Sequence, residues 1–331
     1  MKNGKISEAI LKRSVLKQIH NSNEKVLVDS KVGNDCGIID ISHSDAIGTA
    51  SSIITLDIHN MNLLARIAIF GAVNNVSAMG NKALAVTVEL IIPTSWNEVK
   101  LRELMGCLDS VCAEAGVFII SGHTQVSRAV NNCVVVISAI GESALESYIK
   151  PNGLKPGMDI IATKWIGLEG TAILAMEREE ELRSRYAKPF IDKAKTMADY
   201  LSIQSEAAVA TKSDVCAMHD VSEGGIFAAL WEMAAGSGVG LDIDLKKIPV
   251  KQETIEISEF FNINPYKLVS GGCLLIGTND GSRIIRELEK NNINASVIGV
   301  ATDSNDRVII QGEERRFLEV AQTDEIYKIM Q

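Results

Sequence analysis

The sequence contains no apolar run near the roughly 20 residues that a membrane-spanning helix needs, which argues against an integral membrane protein. Its opening residues, Met1-Lys-Asn-Gly-Lys-Ile-Ser-Glu8, lead into an amphipathic helical pattern rather than the apolar core of a secretory signal, so a cytoplasmic location is expected. Basic residues are in short supply, 33 Lys and Arg against 42 Asp and Glu, and the formal net charge is -9. That balance argues against sequence-independent nucleic-acid binding, which depends on clustered Lys and Arg. The six cysteines (Cys36, Cys107, Cys112, Cys133, Cys216, Cys273) are scattered, with no Cys-x-x-Cys pair and no Cys/His zinc spacing. Most lie in apolar runs, where buried, reduced thiols are expected. Low-complexity segments and short-period repeats are missing as well.

Prolines are few, six in all, yet two of them fall within Pro151-Asn-Gly-Leu-Lys-Pro-Gly157 beside two glycines. This is the best domain boundary in the chain. It divides 331 residues into 1–150 and 151–331, and the length suits two cores. Hydrophobic content of 46% with 23% charged residues is that of a soluble globular protein.

Helical and strand patterns alternate along both parts, which indicates an α/β (α+β) fold. A helix is expected over Ile6–Ile19, followed by short strands around Val26–Val28 and Cys36–Asp40, with Asp35 at the turn before the second. Ser52-Ile-Ile-Thr-Leu-Asp57 reads as a strand ending in a carboxylate. A long apolar helix over Asn62–Met79 is broken only by Asn74-Asn-Val-Ser77. Two adjacent amides in a buried helix need partners, because an unsatisfied buried amide costs about 1–3 kcal/mol. Ala83–Ile92 and Cys133–Ile140 read as strands apolar on both faces, and Glu98–Ala115 as an amphipathic helix stopped by Gly116. Val117–Ile120 reads as a strand followed by the polar turn Ser121-Gly-His-Thr-Gln-Val-Ser127.

The most informative stretch is Met218-His-Asp-Val-Ser-Glu-Gly-Gly225, placed between the apolar run Val215–Met218 and a helical pattern from Ile226 to Ala235. It reads as a strand, a tight turn and a helix. Ser222 is a plausible N-cap, and the bare N–H groups at a helix start favour an anion, phosphate above all. Asp220 beside them suits the cation that accompanies a nucleotide. A capped helix with a glycine turn satisfies the same pattern without any ligand. Gly167-Leu-Glu-Gly170 is a second glycine turn into a helix, and Ser270-Gly-Gly272 lets backbone approach something closely, or forms a β-bulge.

Six motifs in order, Gly33-Asn-Asp35, Leu56-Asp57, Asn74-Asn-Val-Ser-Ala-Met-Gly80, Ser121-Gly-His-Thr124, His219–Gly225 and Ser270-Gly-Gly272, resemble the PurM/HypE (AIR synthase-related) superfamily over both parts of the chain. The resemblance implies a two-domain PurM-like fold. Its N-terminal domain pairs with a second copy to form a barrel-like core, so a homodimer is implied, and a C-terminal α/β domain flanks it. It also implies ATP and Mg²⁺ between the domains, and a small-molecule or protein-borne carbonyl or amide substrate whose oxygen is activated by phosphorylation or dehydration. On this resemblance Asp35, Asp57 and Asn75 would hold the metal. Gly33, Asp35, Asp57, Asn74, Asn75, Gly122, His123, Thr124, Ser222, Gly224 and Gly225 would bind the nucleotide. Asp220 and His123 are the candidate catalytic side chains.

Four features depart from the pattern, one of them Leu56 where a Thr is common. Asn74-Asn75 stands where Asn-Asp is usual, and an amide brings no charge to a metal. Gln125 replaces a frequent Glu, and the chain ends Ile326-Tyr-Lys-Ile-Met-Gln331 without the terminal cysteine of hydrogenase-maturation HypE. A nucleotide-binding accessory protein that has lost chemistry is therefore the alternative reading.

Overall fold

The computed structural model describes residues 8, 12, 16, 25–28, 31, 34–41, 45–145, 147–319 and 323–330. Gly33 and nearly all of the helix expected over Ile6–Ile19 lie outside the described residues.

The N-terminal half is a six-stranded sheet of β1 (Val26–Val28), β2 (Gly37–Asp40), β3 (Asp45–Ile54), β4 (Lys82–Pro93), β5 (Phe118–Ser127) and β6 (Val134–Ala144), in the order β1-β2-β3-β6-β4-β5. Only β4 and β5 run parallel, joined by a crossover helix as parallel strands require. Helix α1 (Met61–Ala78) packs on one face of this sheet. Asn60 caps it by accepting from Leu63 N at 3.0 Å, and Gly80 ends it at φ +77°, a backbone conformation natural to glycine. β4 and β6 are not buried on both faces. Val86, Val88, Leu90, Val135, Ile137 and Ala139 are in the core, while Glu89, Val134 and Val136 on the opposite face are only partly covered. Ile53, Phe118, Ile120 and Val126 remain exposed on this sheet.

The C-terminal half is a seven-stranded sheet of β7 (Asp159–Thr163), β8 (Val215–Val221), β9 (Gly240–Asp244), β10 (Cys273–Thr278), β11 (Ala295–Thr302), β12 (Arg307–Gln311) and β13 (Glu314–Phe317), ordered β13-β12-β9-β11-β7-β10-β8. Its helices include α2 (Leu168–Glu177) and α3 (Gly225–Ser237). The two halves share one core: Ile67 and Phe70 of α1 belong to the same apolar cluster as Ile173 of α2 and Leu201. That is why α1 carries apolar residues all round. All six cysteines are free thiols, and burial pushes Cys36 and Cys273 up to about 12, as expected of inert structural thiols. Among the described residues no helix is long and apolar enough to cross a membrane.

Candidate functional site

A cavity of about 230 Å³ opens where the two halves meet. The end of β3 and the residues after it, Ser51–Leu56, form one wall, and Ile67, Gly71 and Asn75 of α1 form another. Gly71 makes room there: a Cβ would stand 2.7 Å from Ser52 Oγ, so a larger residue would have to push that hydroxyl aside for α1 to lie against β3. The C-terminal half closes the cavity with Glu169 of α2, Ser222 and Glu223 before α3, Val269, and Ile326 and Tyr327 near the chain's end.

The glycine turn before α3 is present but is built differently from the expected strand–turn–helix. β8 continues through Asp220 to Val221, so Asp220 belongs to the strand, and the helix starts at Gly225. Gly224 and Gly225 both have positive φ, +86° and +64°, and a Cβ on Gly225 would meet Tyr266 O at 2.6 Å. Ser222 is not the cap. The amide of Gly224 donates instead to Asp324 Oδ2 at 2.6 Å, across 100 residues of sequence. The other oxygen, Oδ1, accepts from Ile326 N at 2.8 Å. A carboxylate from the chain's own end thus occupies the expected anion position.

Carboxylates crowd this junction. Burial raises the Glu169 carboxyl to about 8, with help from the charges of Asp324, Asp220 and Glu223, while a hydrogen bond from the Gly271 amide opposes it. Burial likewise lifts Asp324 to about 7 against the hydrogen bonds it accepts. The Gly271-Gly272 pair explains the close approach expected there. A Cβ on Gly271 would stand 2.2 Å from Glu169 Oε2, and one on Gly272 2.3 Å from Tyr200 O. The partner is the chain's own backbone and a side chain, and β10 begins only at Cys273.

Asp35, expected at a metal, is engaged elsewhere. Its Oδ1 lies 2.7 Å from His219 Nδ1, and its Oδ2 accepts from Asp220 N at 3.3 Å. His219 Nε2 meets Glu232 of α3 at 3.1 Å. Burial disfavours the imidazolium, but Asp35 and then Glu232 outweigh it and raise His219 to about 10. These residues form a buried charged tie between the halves. Asn74, expected at the nucleotide, is a second tie. It donates to Leu201 O at 2.8 Å and accepts from Ile203 N at 3.0 Å, which uses both ends of its amide. Asn75 does line the cavity, and its amide donates to Gly71 O at 2.8 Å.

Asp57 lies past the end of β3 on an adjoining cavity of about 480 Å³, which shares Leu56 with the first. Its neighbour there is His59, whose Nε2 is 4.0 Å from Asp57 Oδ2. His59 was not singled out from the sequence. Glu177 of α2 holds it by accepting from the backbone amides of His59 and Asn60 at 3.1 and 3.0 Å, with the carboxylate 3.0 Å from Nδ1. Asp220 is 4% exposed and does not line the 230 Å³ cavity.

Gly122, His123 and Thr124 are not in a turn. β5 runs straight through them as an exposed edge strand paired only with β4. Polar residues are tolerated there because an edge strand faces water. Gly122 marks a close approach, since a Cβ would fall 2.2 Å from Val88 O. β6 and β4 separate β5 from β3, a span of three interstrand steps of about 4.8 Å each. These residues therefore do not line their own chain's cavity.

Residues 33–143 match the N-terminal domain of AIR synthase related protein, and residues 155–311 match its C-terminal domain. The chain belongs to the AIR synthase-related family. A hydrogenase expression/formation protein of Methanocaldococcus jannaschii is 28% identical over 319 residues, covering 93% of this chain and 91% of that protein. The carbamoyl dehydratase HypE of Rhizobium leguminosarum bv. viciae is 27% identical over 214 residues, 64% of this chain and 59% of its own length. Among solved structures, hydrogenase maturation protein HypE in complex with ATP superposes with a TM-score of 0.67 at 18% identity, covering 96% of this chain and 95% of that one. The two-sheet architecture is thus the AIR synthase-related fold.

Proposed function

We propose that this chain is an ATP-dependent enzyme that activates the carbonyl or amide oxygen of a small or protein-borne substrate by phosphorylation or dehydration. The observation that carries the reading is the 230 Å³ cavity, which brings Asn75 and Ser222 together from opposite halves of the chain. Family membership supports it, as does the ATP complex of a protein with the same fold. Carbamoyl dehydratases among the relatives favour an amide-like acceptor.

Within that reading, Ser222 and the walls of β3 and α1 orient the nucleotide, and Ile54, Ile67 and Val269 keep water from the reacting oxygen. Among the described residues no group of three His, Cys, Asp or Glu side chains could hold a metal alone. Asp57 would bring a charge to a Mg²⁺ from the adjoining cavity and Asn75 an amide oxygen from the first, whereas Asp35 is committed to His219. A bound Mg²⁺ would neutralise phosphate charge during transfer. The 480 Å³ cavity beside Asp57 has room for the acceptor.

A homodimer belongs to the same proposal. Phe118, Ile120 and Val126 are 72%, 60% and 59% exposed on the β5 edge strand, an unusual price for a monomer to leave uncovered. Such pairing is the way Gly122, His123 and Thr124 would reach a nucleotide, from a second copy.

Calorimetric titration with the β,γ-imido analogue of ATP, with and without Mg²⁺, tests the reading: Mg²⁺-dependent binding is expected, and no binding under either condition refutes it. The accessory-protein reading is favoured by the uncharged Asn75 in the cavity wall. It predicts that the analogue binds while no ADP forms from ATP with any carboxamide or carbamoyl compound.

A further inference from the structure

We infer that Glu169 meets the nucleotide in the 230 Å³ cavity as a neutral carboxylic acid and donates a hydrogen bond to it, so that nucleotide and proton are taken up together. The inference rests on the nucleotide reading of that cavity and adds to it a residue that decides which charge state can bind. Among the described residues no Lys, Arg or His lines the cavity, and its carboxyls are those of Glu169 and Glu223. β3 and α1 bring uncharged groups to the wall, Ser52, Thr55 and Asn75 among them. Glu223 is hydrogen-bonded to Tyr327. Glu169 is held from the first turn of α2, where its carboxyl accepts from the Gly271 amide. Gly271 makes room for it, since a Cβ there would stand 2.2 Å from Glu169 Oε2.

An ionised Glu169 would face the charges of Asp324, Asp220 and Glu223 with no basic side chain in the cavity wall to offset them. A buried carboxyl so placed keeps its proton. Asp324 and Asp220 do not line the cavity, and Asp324 accepts from the backbone amides of Gly224, Val269 and Ile326. Glu169 is thus the raised carboxyl that reaches the ligand: burial and its neighbours lift it to about 8, so near neutral pH it offers an O–H donor. A nucleotide carries acceptor oxygens and negative charge, and it selects that form over the carboxylate. Because the protonated form binds, affinity is full well below pH 8 and falls as pH rises past it. The apparent dissociation constant is the intrinsic one divided by the protonated fraction, which makes binding about tenfold weaker at pH 9 than at pH 7.

The test titrates the full-length chain with the β,γ-imido analogue of ATP and Mg²⁺ at pH 7, 8 and 9. Calorimetry in buffers of different ionisation enthalpy counts the protons that accompany binding. Comparison with Glu169→Gln cancels the nucleotide's own titration. At pH 8 about half of the free wild type carries the proton, so it should take up about half a proton more than the variant. Glutamine keeps an N–H donor at every pH, so Glu169→Gln should match wild type within about twofold at pH 7 and bind about tenfold more tightly than it at pH 9. Asp324→Asn, which removes the other raised carboxyl, should keep the uptake. Should Glu169→Gln fail to fold, carboxyl-carbon NMR of wild type replaces it: nucleotide should move the Glu169 titration midpoint upward, and an unmoved or lowered midpoint overturns the inference. Equal proton counts for wild type and Glu169→Gln overturn it too, as does uptake lost in Asp324→Asn but kept in Glu169→Gln. Release of a proton by wild type relative to Glu169→Gln would mean that the carboxylate meets Mg²⁺ instead, and the inference is again wrong although the nucleotide reading stands. If wild type binds no analogue at any pH, the nucleotide reading fails and the inference falls with it.

Discussion

Replacing Asp35 by Asn removes the charge that holds His219 between the two halves. The pair spans 184 residues of sequence, and the side chains are only 4% and 7% exposed, so solvent does little to screen it. Raising an imidazole from 6.5 to about 10 corresponds to about 5 kcal/mol favouring its charged form, at roughly 1.4 kcal/mol per pH unit. Glu232 supplies part of that and remains in the variant. Removing one partner of a buried pair costs about 3–5 kcal/mol in general, so a loss of about 3 kcal/mol at pH 7 is expected for Asp35→Asn. The pH dependence is the sharper signature. Because the folded value lies above the unfolded one, the His219 contribution is complete below about 6.5 and is lost as pH rises toward 10. Wild-type stability, followed by urea midpoints from pH 6 to 10, should therefore fall across this window. The variant should start lower and lose its remaining contribution at lower pH. A loss below 1 kcal/mol at pH 7 together with an unchanged pH profile would refute the argument that this tie is charged and holds the halves together.

Asn74→Ala strands Leu201 O and Ile203 N in a buried interface and should cost about 2–4 kcal/mol, read from thermal melts. Gly225→Ala should cost 2 kcal/mol or more, because positive φ is compounded by a Cβ 2.6 Å from Tyr266 O; a near-native melt would disprove the close approach. Asp57→Asn should weaken binding of the Mg²⁺-loaded ATP analogue more than Asn75→Ala does, since it removes a full charge rather than a dipole, and calorimetry showing the reverse order would reject Asp57 as a metal ligand. Asp324 is raised to about 7 from 3.8, so its contribution to stability is greatest below pH 4 and is lost as pH rises through 7; Asp324→Asn should flatten that part of the stability profile.

Local periodicity made most elements of the fold legible, because burial on one face writes itself into residues three or four apart in helices and two apart in strands. The helices over Met61–Ala78 and Glu98–Ala115 are found within a residue or so of their expected bounds, and the glycine turn before α3 lies where expected. β5 shows where this reasoning fails. Its polar stretch Ser121–Ser127 looks like a turn because turns and exposed edge strands draw on the same polar residues. Only the pairing with β4, set by tertiary structure, separates the two.

The site was less legible than the fold for a related reason. A motif states which donors and acceptors are present, and the fold decides which of them meet. Asp35 and Asn74 carry the residue types of a ligand shell, yet His219 and the Leu201–Ile203 backbone have taken them. Glu177 and Asp324 carry no local signal at all, since their partners lie 100 residues or more away: 118 residues separate Glu177 from His59, and 100 separate Asp324 from Gly224. At the start of α3 the Gly224 amide expected to meet a ligand donates to Asp324 of the same chain. The Gly224 amide is buried, and a carboxylate brought there by the fold satisfies it. That partner lies 100 residues along the chain, beyond the reach of any local motif, which is why the turn reads as a ligand site in the sequence and as a tie in the fold.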